Sequence, residues 1–326
     1  MSLDSDVIVD RRRIRRKLTF WRVVATMIAI MAIVAVGLIA SSGGRDGLTA
    51  SGSIARVNIE GLIRSDQQRV EALEELEKSK AAAVIVHINS PGGTTAGSEQ
   101  LYDSLTRLKA KKPLVIVVEG LAASGGYIAA IASDHIIAQQ SSLVGSIGVL
   151  FQFPNFSDLL KTVGVKVEEV KSSPLKAAPN GFEPTSPEAR AALDALVKDS
   201  YAWFRNLVKD RRGMDDALLE QVSDGRVFTG HQAIALKLID QLGDEKTAVA
   251  WLVAQKGVKA GLPVRDYKLT PRFSDLTFLR TAAAVTLDAL GLSSIARHIE
   301  QAGLAQAADR LNLEGMLALW HPAGAN

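Results

Sequence analysis

AVIVHINSPGG (83–93) and LVIVVEGLAASGG (114–126) decide the fold. Each is a continuous apolar run that ends in a loop of small residues. Unbroken apolarity marks a strand buried on both faces, which requires a parallel sheet covered by helices. The same alternation repeats outward from this pair. IARVNI (54–59) and HIIA (135–138) read as two more strands. Residues 67–79 predict an amphipathic helix with Val70, Leu73 and Leu76 on one face. Residues 97–110 predict another, carrying Leu101, Leu105 and Leu108. Strand, Gly-rich loop and helix in succession predict an α/β fold with a mainly parallel sheet. A long helix follows over 187–212, with Ser186 as N-cap, Pro187 in the first turn and Gly213 beyond the end. Residues 231–241 and 244–256 read as two further helices, and VKVEEV (165–170) is strand-like. Weak helical periodicity resumes from about residue 275.

The composition agrees with a globular protein. Of 326 residues, 47% are hydrophobic and 22% charged, which excludes a disordered, collagen-like or coiled-coil chain. The formal net charge is only +3, and a basic N-terminal run carries much of it, so nothing argues for a nucleic-acid partner. Cysteine is absent, which excludes disulfides, thiolate metal sites and a cysteine nucleophile.

The N-terminus predicts a membrane anchor. RRRIRRK (11–17) places six positive charges in seven positions. VVATMIAIMAIVAVGLIA (23–40) follows, with Thr26 its one polar side chain. Eighteen helical residues span roughly 27 Å, and Phe20 and Trp21 extend that toward the ~30 Å hydrocarbon core. The run is longer than the apolar stretch of a cleaved signal peptide. Positive charge before the span keeps the N-terminus cytoplasmic and sends the rest of the chain across. The expected organisation is a basic cytoplasmic segment (1–18), a transmembrane helix (19–40), a flexible linker (41–53), a catalytic domain (54–260) and a partly helical tail (261–326).

Three loops of small residues follow strands: NSPGG (89–93), AASGG (122–126) and GSIG (145–148). None matches a phosphate-binding pattern. Ser124 lies between a buried strand and a small-residue helix, where a sharp turn would expose its hydroxyl and leave the Gly125 N–H beside it to hold an oxyanion. From the motif alone, a tight turn with a serine N-cap is the simpler reading of the same residues. Among the five histidines none has metal-ligand spacing, and His87 and His135 fall inside buried strands. Lys176, in KSSPLKAAPN, is the other candidate base. Ser173 to Lys176 matches S-x-x-K, but no S-D-N or K-T-G accompanies it, and by itself Lys176 reads as a solvated loop lysine.

Taken in order, NSPGG, AASGGYIA, GSIGV, KSSPLK and DGRVFTG (224–230) resemble the signal peptide peptidase A (SppA) family of membrane-anchored serine–lysine proteases. The resemblance covers residues 54–257. It implies a Clp protease/crotonase-like fold and assigns Ser124 as nucleophile, Lys176 as general base and Ser146 as the residue orienting the lysine. Gly93 and Gly125 would supply the oxyanion-hole N–H groups. Where the commoner pattern reads SGGYY, this chain has SGGYI. The resemblance further implies a dome-like homo-oligomer, often an octamer. It implies peptide substrates such as signal-peptide remnants, contact with the lipid membrane through the anchor, and no cofactor or metal. The catalytic domain would lie on the extracytoplasmic, periplasmic side. Two other readings remain at this point: a crotonase-like acyl-CoA enzyme, since that fold is shared, and an inactive membrane-anchored scaffold.

Overall fold

The computed structural model describes residues 52–269, residues 317–319, and the single positions Lys17, Trp21 and Met27. The apolar segment 23–40 lies outside the described residues apart from Met27, as does the helical periodicity expected from about 275. Among the described residues no helix is long and apolar enough to cross a membrane.

Five strands and three helices form the first half of the domain: β1 (Ile54–Ile63), α1 (Gln67–Lys78), β2 (Ala83–Thr94), α2 (Thr95–Lys111), β3 (Leu114–Ala123), α3 (Gly125–Ala130), β4 (His135–Ala138) and β5 (Leu143–Gly145). After a short α4 (Ser157–Thr162) come α5 (Pro187–Arg212), α6 (Asp216–Val222), β6 (Val227–Thr229), α7 (Gly230–Ala235), β7 (Gln241–Leu242), α8 (Glu245–Lys256) and β8 (Val264–Asp266). The last described strand is β9 (Leu317–Leu319). The main path of the sheet runs β6-β5-β3-β2-β1-β8, with β4 also beside β3, β7 beside β4, and β9 beside β2. Pairing is parallel except for β5–β6 and β2–β9. The mainly parallel α/β sheet expected from the sequence is therefore present, and β8 and β9 lie C-terminal to residue 260.

Alternation along the strands sorts the core into two layers. Val84, Val86, Ile88, Ile116 and Val118 face the larger layer, which includes side chains of α1, α2 and α3. Ile85, Val115 and Val117 face the smaller one, under Ala248 and Leu252 of α8. Full burial of these side chains contributes roughly 1.5–3 kcal/mol each, the main force that holds the layers together. Tyr127, wholly buried in α3, donates its hydroxyl to the Leu238 carbonyl at 2.8 Å, and burial pushes its phenol above the usual range.

Two helix ends match their sequence signals. Ser186 accepts from the Ala189 N–H, and Gly213 closes α5 in the left-handed conformation. The helix expected over 231–241 is shorter: α7 stops at Ala235, Lys237 turns with φ 57°, and the chain enters β7. VKVEEV forms no strand, and residues 165–170 are all exposed. Among the described residues no strand pairs with them, so their apolar residues join no described sheet.

Where α8 begins, polar groups meet on the face it covers. Arg56 grips Glu245 with Nε at 2.5 Å and Nη2 at 2.6 Å, and reaches Asp266 with Nη1 at 2.8 Å. His87 bridges Glu119 and Glu245, both at 2.8 Å. The Arg56 guanidinium holds the Glu245 carboxyl below the usual carboxylate range. A carboxyl lowered in the folded state adds stability above its unfolded pKa, and that stability is lost as pH falls through the folded value. Glu245→Gln should lower the Tm at neutral pH by about 2–4 °C, corresponding to roughly 1 kcal/mol after solvent screening. The difference from wild type should shrink in thermal melts taken below about pH 4. An unchanged difference across that range would show that the ion pair is not its source.

Candidate active site

β3 delivers Ser124. Its last residues, Leu121–Ala123, pair with β5, and the Ser124 N–H donates to the Gly145 carbonyl at 2.8 Å. Ser124 then takes φ 53°, ψ −116°, a conformation that L-residues rarely adopt. The strain costs on the order of 1–3 kcal/mol and persists because both flanks are fixed. On one side is the β3–β5 pairing. On the other, the amides of Tyr127 and Ile128 donate to the Ser124 carbonyl and start α3. The hydroxyl makes no capping bond to α3, so the N-cap reading of this serine fails. It lies 3.5 Å from the Gly148 carbonyl, in a residue only 1% exposed.

The glycines beside Ser124 are fixed by close approach. A Cβ on Gly126 would sit 2.8 Å from the Ser90 carbonyl, so glycine is what lets α3 pack against β2. A Cβ on Gly93 would come within 1.7 Å of the Ile63 carbonyl oxygen in neighbouring β1. Gly125 opens α3, where the first amides of a helix have no acceptor within the helix.

Ser146 sits in the loop after β5, with φ 50° and 6% exposure. Its N–H donates to the Arg226 carbonyl at 2.8 Å. β6 lies antiparallel to β5, with Val144 opposite Phe228 and Gly145 opposite Val227. DGRVFTG is thus the strap that holds GSIGV in place.

Lys176 stands apart from this group. It occupies a tight turn in which its N–H donates to the Ser173 carbonyl at 3.1 Å and Ala177 takes φ 58°. Its side chain is exposed and forms no ion pair or hydrogen bond with any described residue. Within one chain, then, the structure gathers Ser124, Gly125, Gly93 and Ser146 around the ends of β2, β3 and β5 but makes no bond from Lys176 to either serine. Nearby Lys171 is engaged, at 2.7 Å from Glu169 and 2.6 Å from Glu183, and Glu169 first among them raises its pKa. Among the described residues, no group of His, Asp or Glu is arranged to hold a metal. His87 is committed to its two carboxylates, and His135 stacks on Trp251 at 4.5 Å between ring centroids.

Comparison with known proteins fixes the family. The model of peptidase family S49 matches residues 106–259, and the Clp protease model matches residues 62–142. A Synechocystis sp. protein named as a protease is 36% identical over 207 residues, covering 63% of this chain and 75% of that protein. The chain belongs to peptidase family S49. A Methanocaldococcus jannaschii protein named as a protease is 33% identical over 181 residues, covering 55% of this chain and 58% of its own. An Enterococcus faecium protein named as signal peptide peptidase SppA is 31% identical over 215 residues, covering 64% and 62%. The chain thus spans a little under two thirds of the length of these last two. The resemblance to the SppA family read from the motifs is borne out, and so is the Clp protease-like α/β fold. Membership makes the chain a serine protease, which displaces the acyl-CoA alternative.

One residue of the site was not singled out in the sequence. Ser90 is fully buried, donates to the Gly61 carbonyl at 2.7 Å and accepts from the Gly92 N–H at 3.1 Å. It ties the NSPGG loop to the bulge in β1. Its only sequence signal was its place inside that motif. Ser90→Ala removes the bond to the Gly61 carbonyl and takes the Ser90 acceptor from the buried Gly92 N–H, and a buried donor left without that partner costs about 1–3 kcal/mol. The expected outcome is a lower denaturation midpoint together with a drop in kcat. Wild-type stability with normal kcat would show that Ser90 is incidental.

Proposed function

We propose that this chain is a membrane-anchored serine endopeptidase that uses Ser124 and Lys176 to cleave signal-peptide remnants and other extended apolar segments at the membrane surface. The observation that carries the reading is the strained turn at Ser124 (φ 53°, ψ −116°), seated between β3 and α3 with its hydroxyl free of any capping duty. A strand-to-helix turn of this kind aims a nucleophile at a peptide lying over the end of the sheet.

In the proposed mechanism the neutral Lys176 amine accepts the Ser124 Oγ proton as Oγ attacks the substrate carbonyl. Gly93 and Gly125 donate their N–H groups to the oxyanion that forms. The intermediate collapses, the amine product leaves with the proton from Lys176, and water then hydrolyses the acyl-enzyme by the same proton route. Ser146 holds the lysine amine toward Ser124.

A lysine in water carries its proton at neutral pH, with a reference pKa of ~10.4, and a protonated amine accepts nothing. Desolvation is what turns a lysine into a base. Taken alone, the chain leaves Lys176 exposed on an arm whose apolar side chains Phe151, Phe156, Leu159, Val163, Val170 and Leu175 are exposed as well. An apolar surface of this kind marks a contact with another protein surface. We therefore assign the arm to a homo-oligomer in which Lys176 of one subunit serves Ser124 of a neighbour. The anchor of residues 19–40 would hold the assembly on the extracytoplasmic face of the inner or plasma membrane, with residues 1–18 in the cytoplasm.

Ser124→Ala should reduce peptide cleavage by several orders of magnitude while leaving the melting profile intact. Lys176→Arg should be equally inactive, because arginine stays protonated in proteins. Mixing Ser124→Ala with Lys176→Ala subunits under exchange should restore part of the activity. Full inactivity in a mixture shown by mass to have exchanged would place the dyad within one chain. The orientation has its own test. Protease added to intact spheroplasts should digest the chain beyond about residue 45, whereas digestion only after lysis would refute the topology.

A further inference from the structure

Up to Ile88, β2 is paired on both edges, with β1 on one side and β3 on the other. The β2–β3 register then shifts, and its last pair is Ser90 with Ala122. Two residues later β3 turns away at Ser124 into α3. Beyond that point β2 keeps β1 on one edge, Leu62 opposite Gly92 and Ile63 opposite Gly93. A strand has two edges, so Gly92–Thr94 turn the other toward the fork between β2 and β3. Within the chain that edge is taken by β9, antiparallel, with Leu319 opposite Gly92, Ala318 opposite Gly93 and Leu317 opposite Thr94.

The proposed mechanism places a substrate carbonyl at the N–H groups of Gly93 and Gly125, and an extended peptide presents its carbonyl there by pairing along this same edge. One edge accepts one strand at a time. We propose that Leu317–Leu319 is an internal competitor, a C-terminal strand that occupies the substrate's edge and must be displaced before a peptide reaches Ser124. The inference rests on the serine-protease reading given above. The sequence of β9, Leu-Ala-Leu, has the apolar character of the substrates assigned to the enzyme. Three residues form only a short strand, which isolated would bind weakly. Tethering raises its effective concentration to the millimolar range, roughly, so weak pairing is enough to hold it in place yet yields to a longer peptide. The device sets a threshold for substrates able to pair over more residues than β9 does.

The test uses the full chain carrying Ser124→Ala, so that binding is read without hydrolysis, and a fluorescent extended apolar peptide as probe. Ala318→Pro is added to remove the backbone N–H opposite Gly93, and Ala318→Ser serves as the control that keeps it. Amide exchange of residues 92–94 reports whether β9 is in place. The expected result is a severalfold tighter peptide Kd and faster exchange at 92–94 for Ala318→Pro, with Ala318→Ser at the starting values. An unchanged Kd, with or without a change in exchange, overturns the proposal. Hydrolysis of the same peptide by the chain with Ser124 intact is measured alongside. If that chain cleaves nothing while the Kd still shifts, the competitor stands and the protease reading fails. If it cleaves and the Kd does not shift, the protease reading stands and the competitor fails. In the active chain, Ala318→Pro should lower KM severalfold and leave kcat unchanged.

Discussion

The parting of β2 and β3 is the constraint on which the site depends. Up to Ile88 and Val118 the two strands run as neighbours in a dry, doubly covered sheet. Past Ala122 they cannot stay paired, because Ser124 turns at φ 53° and the chain enters α3. Each close approach around the fork follows from that turn. α3 presses on β2 at Gly126, where any side chain would meet the Ser90 carbonyl. β2 leans on β1 at Gly93, where any side chain would meet Ile63. The glycines of the two motifs therefore answer to backbone contact. On the proposed reading, the N–H groups of Gly93 and Gly125 in those same motifs serve the oxyanion.

Strain at Ser124 needs a rigid surround, and the surround is largely polar backbone. The Gly145 carbonyl holds the serine amide, and the Arg226 carbonyl holds the Ser146 amide one loop away. Arg226 is kept beside β5 by the antiparallel β5–β6 pair. A chain of main-chain hydrogen bonds thus runs from DGRVFTG through GSIGV to AASGG. Three sequence motifs separated by up to a hundred residues act as one frame. Side-chain identity matters within it chiefly where space forbids a Cβ.

Much of this was readable in advance, for a physical reason. Buried parallel strands have to be apolar along their whole length, so AVIVHI and LVIVV announced themselves. α5 was equally plain, because Ser186, Pro187 and Gly213 mark both its ends. Strand-like composition misleads at VKVEEV, since β-propensity describes a fit to a neighbouring sheet and no described strand lies beside it. The helix expected over 231–241 ran too long because apolar spacing does not reveal the left-handed turn at Lys237. Ser90 was hidden for a different reason. One buried hydroxyl bridging two backbone groups has no periodicity and no spacing to betray it. β9 was hidden as well, since three residues carry too little pattern to register as a strand.

On the proposed reading, Ser124 and Lys176 make opposite demands on the protein. A nucleophile has to be held still, and Ser124 is buried, strained and bonded on both sides by a single chain. A lysine base has to be taken out of water, and the described residues of a lone subunit leave Lys176 uncovered. Its turn is tight, but its side chain is exposed on an arm whose apolar residues also lack cover. Covering that arm with a second copy would bury apolar surface, which drives association, and would desolvate the lysine in the same event. On the proposed reading, assembly and activation are then one free-energy change. A subunit made before it meets its neighbours holds a formed serine turn and an exposed lysine that serves no serine. Proteolysis by such an enzyme would be confined to the place where subunits accumulate, which for an anchored chain is the plane of the membrane.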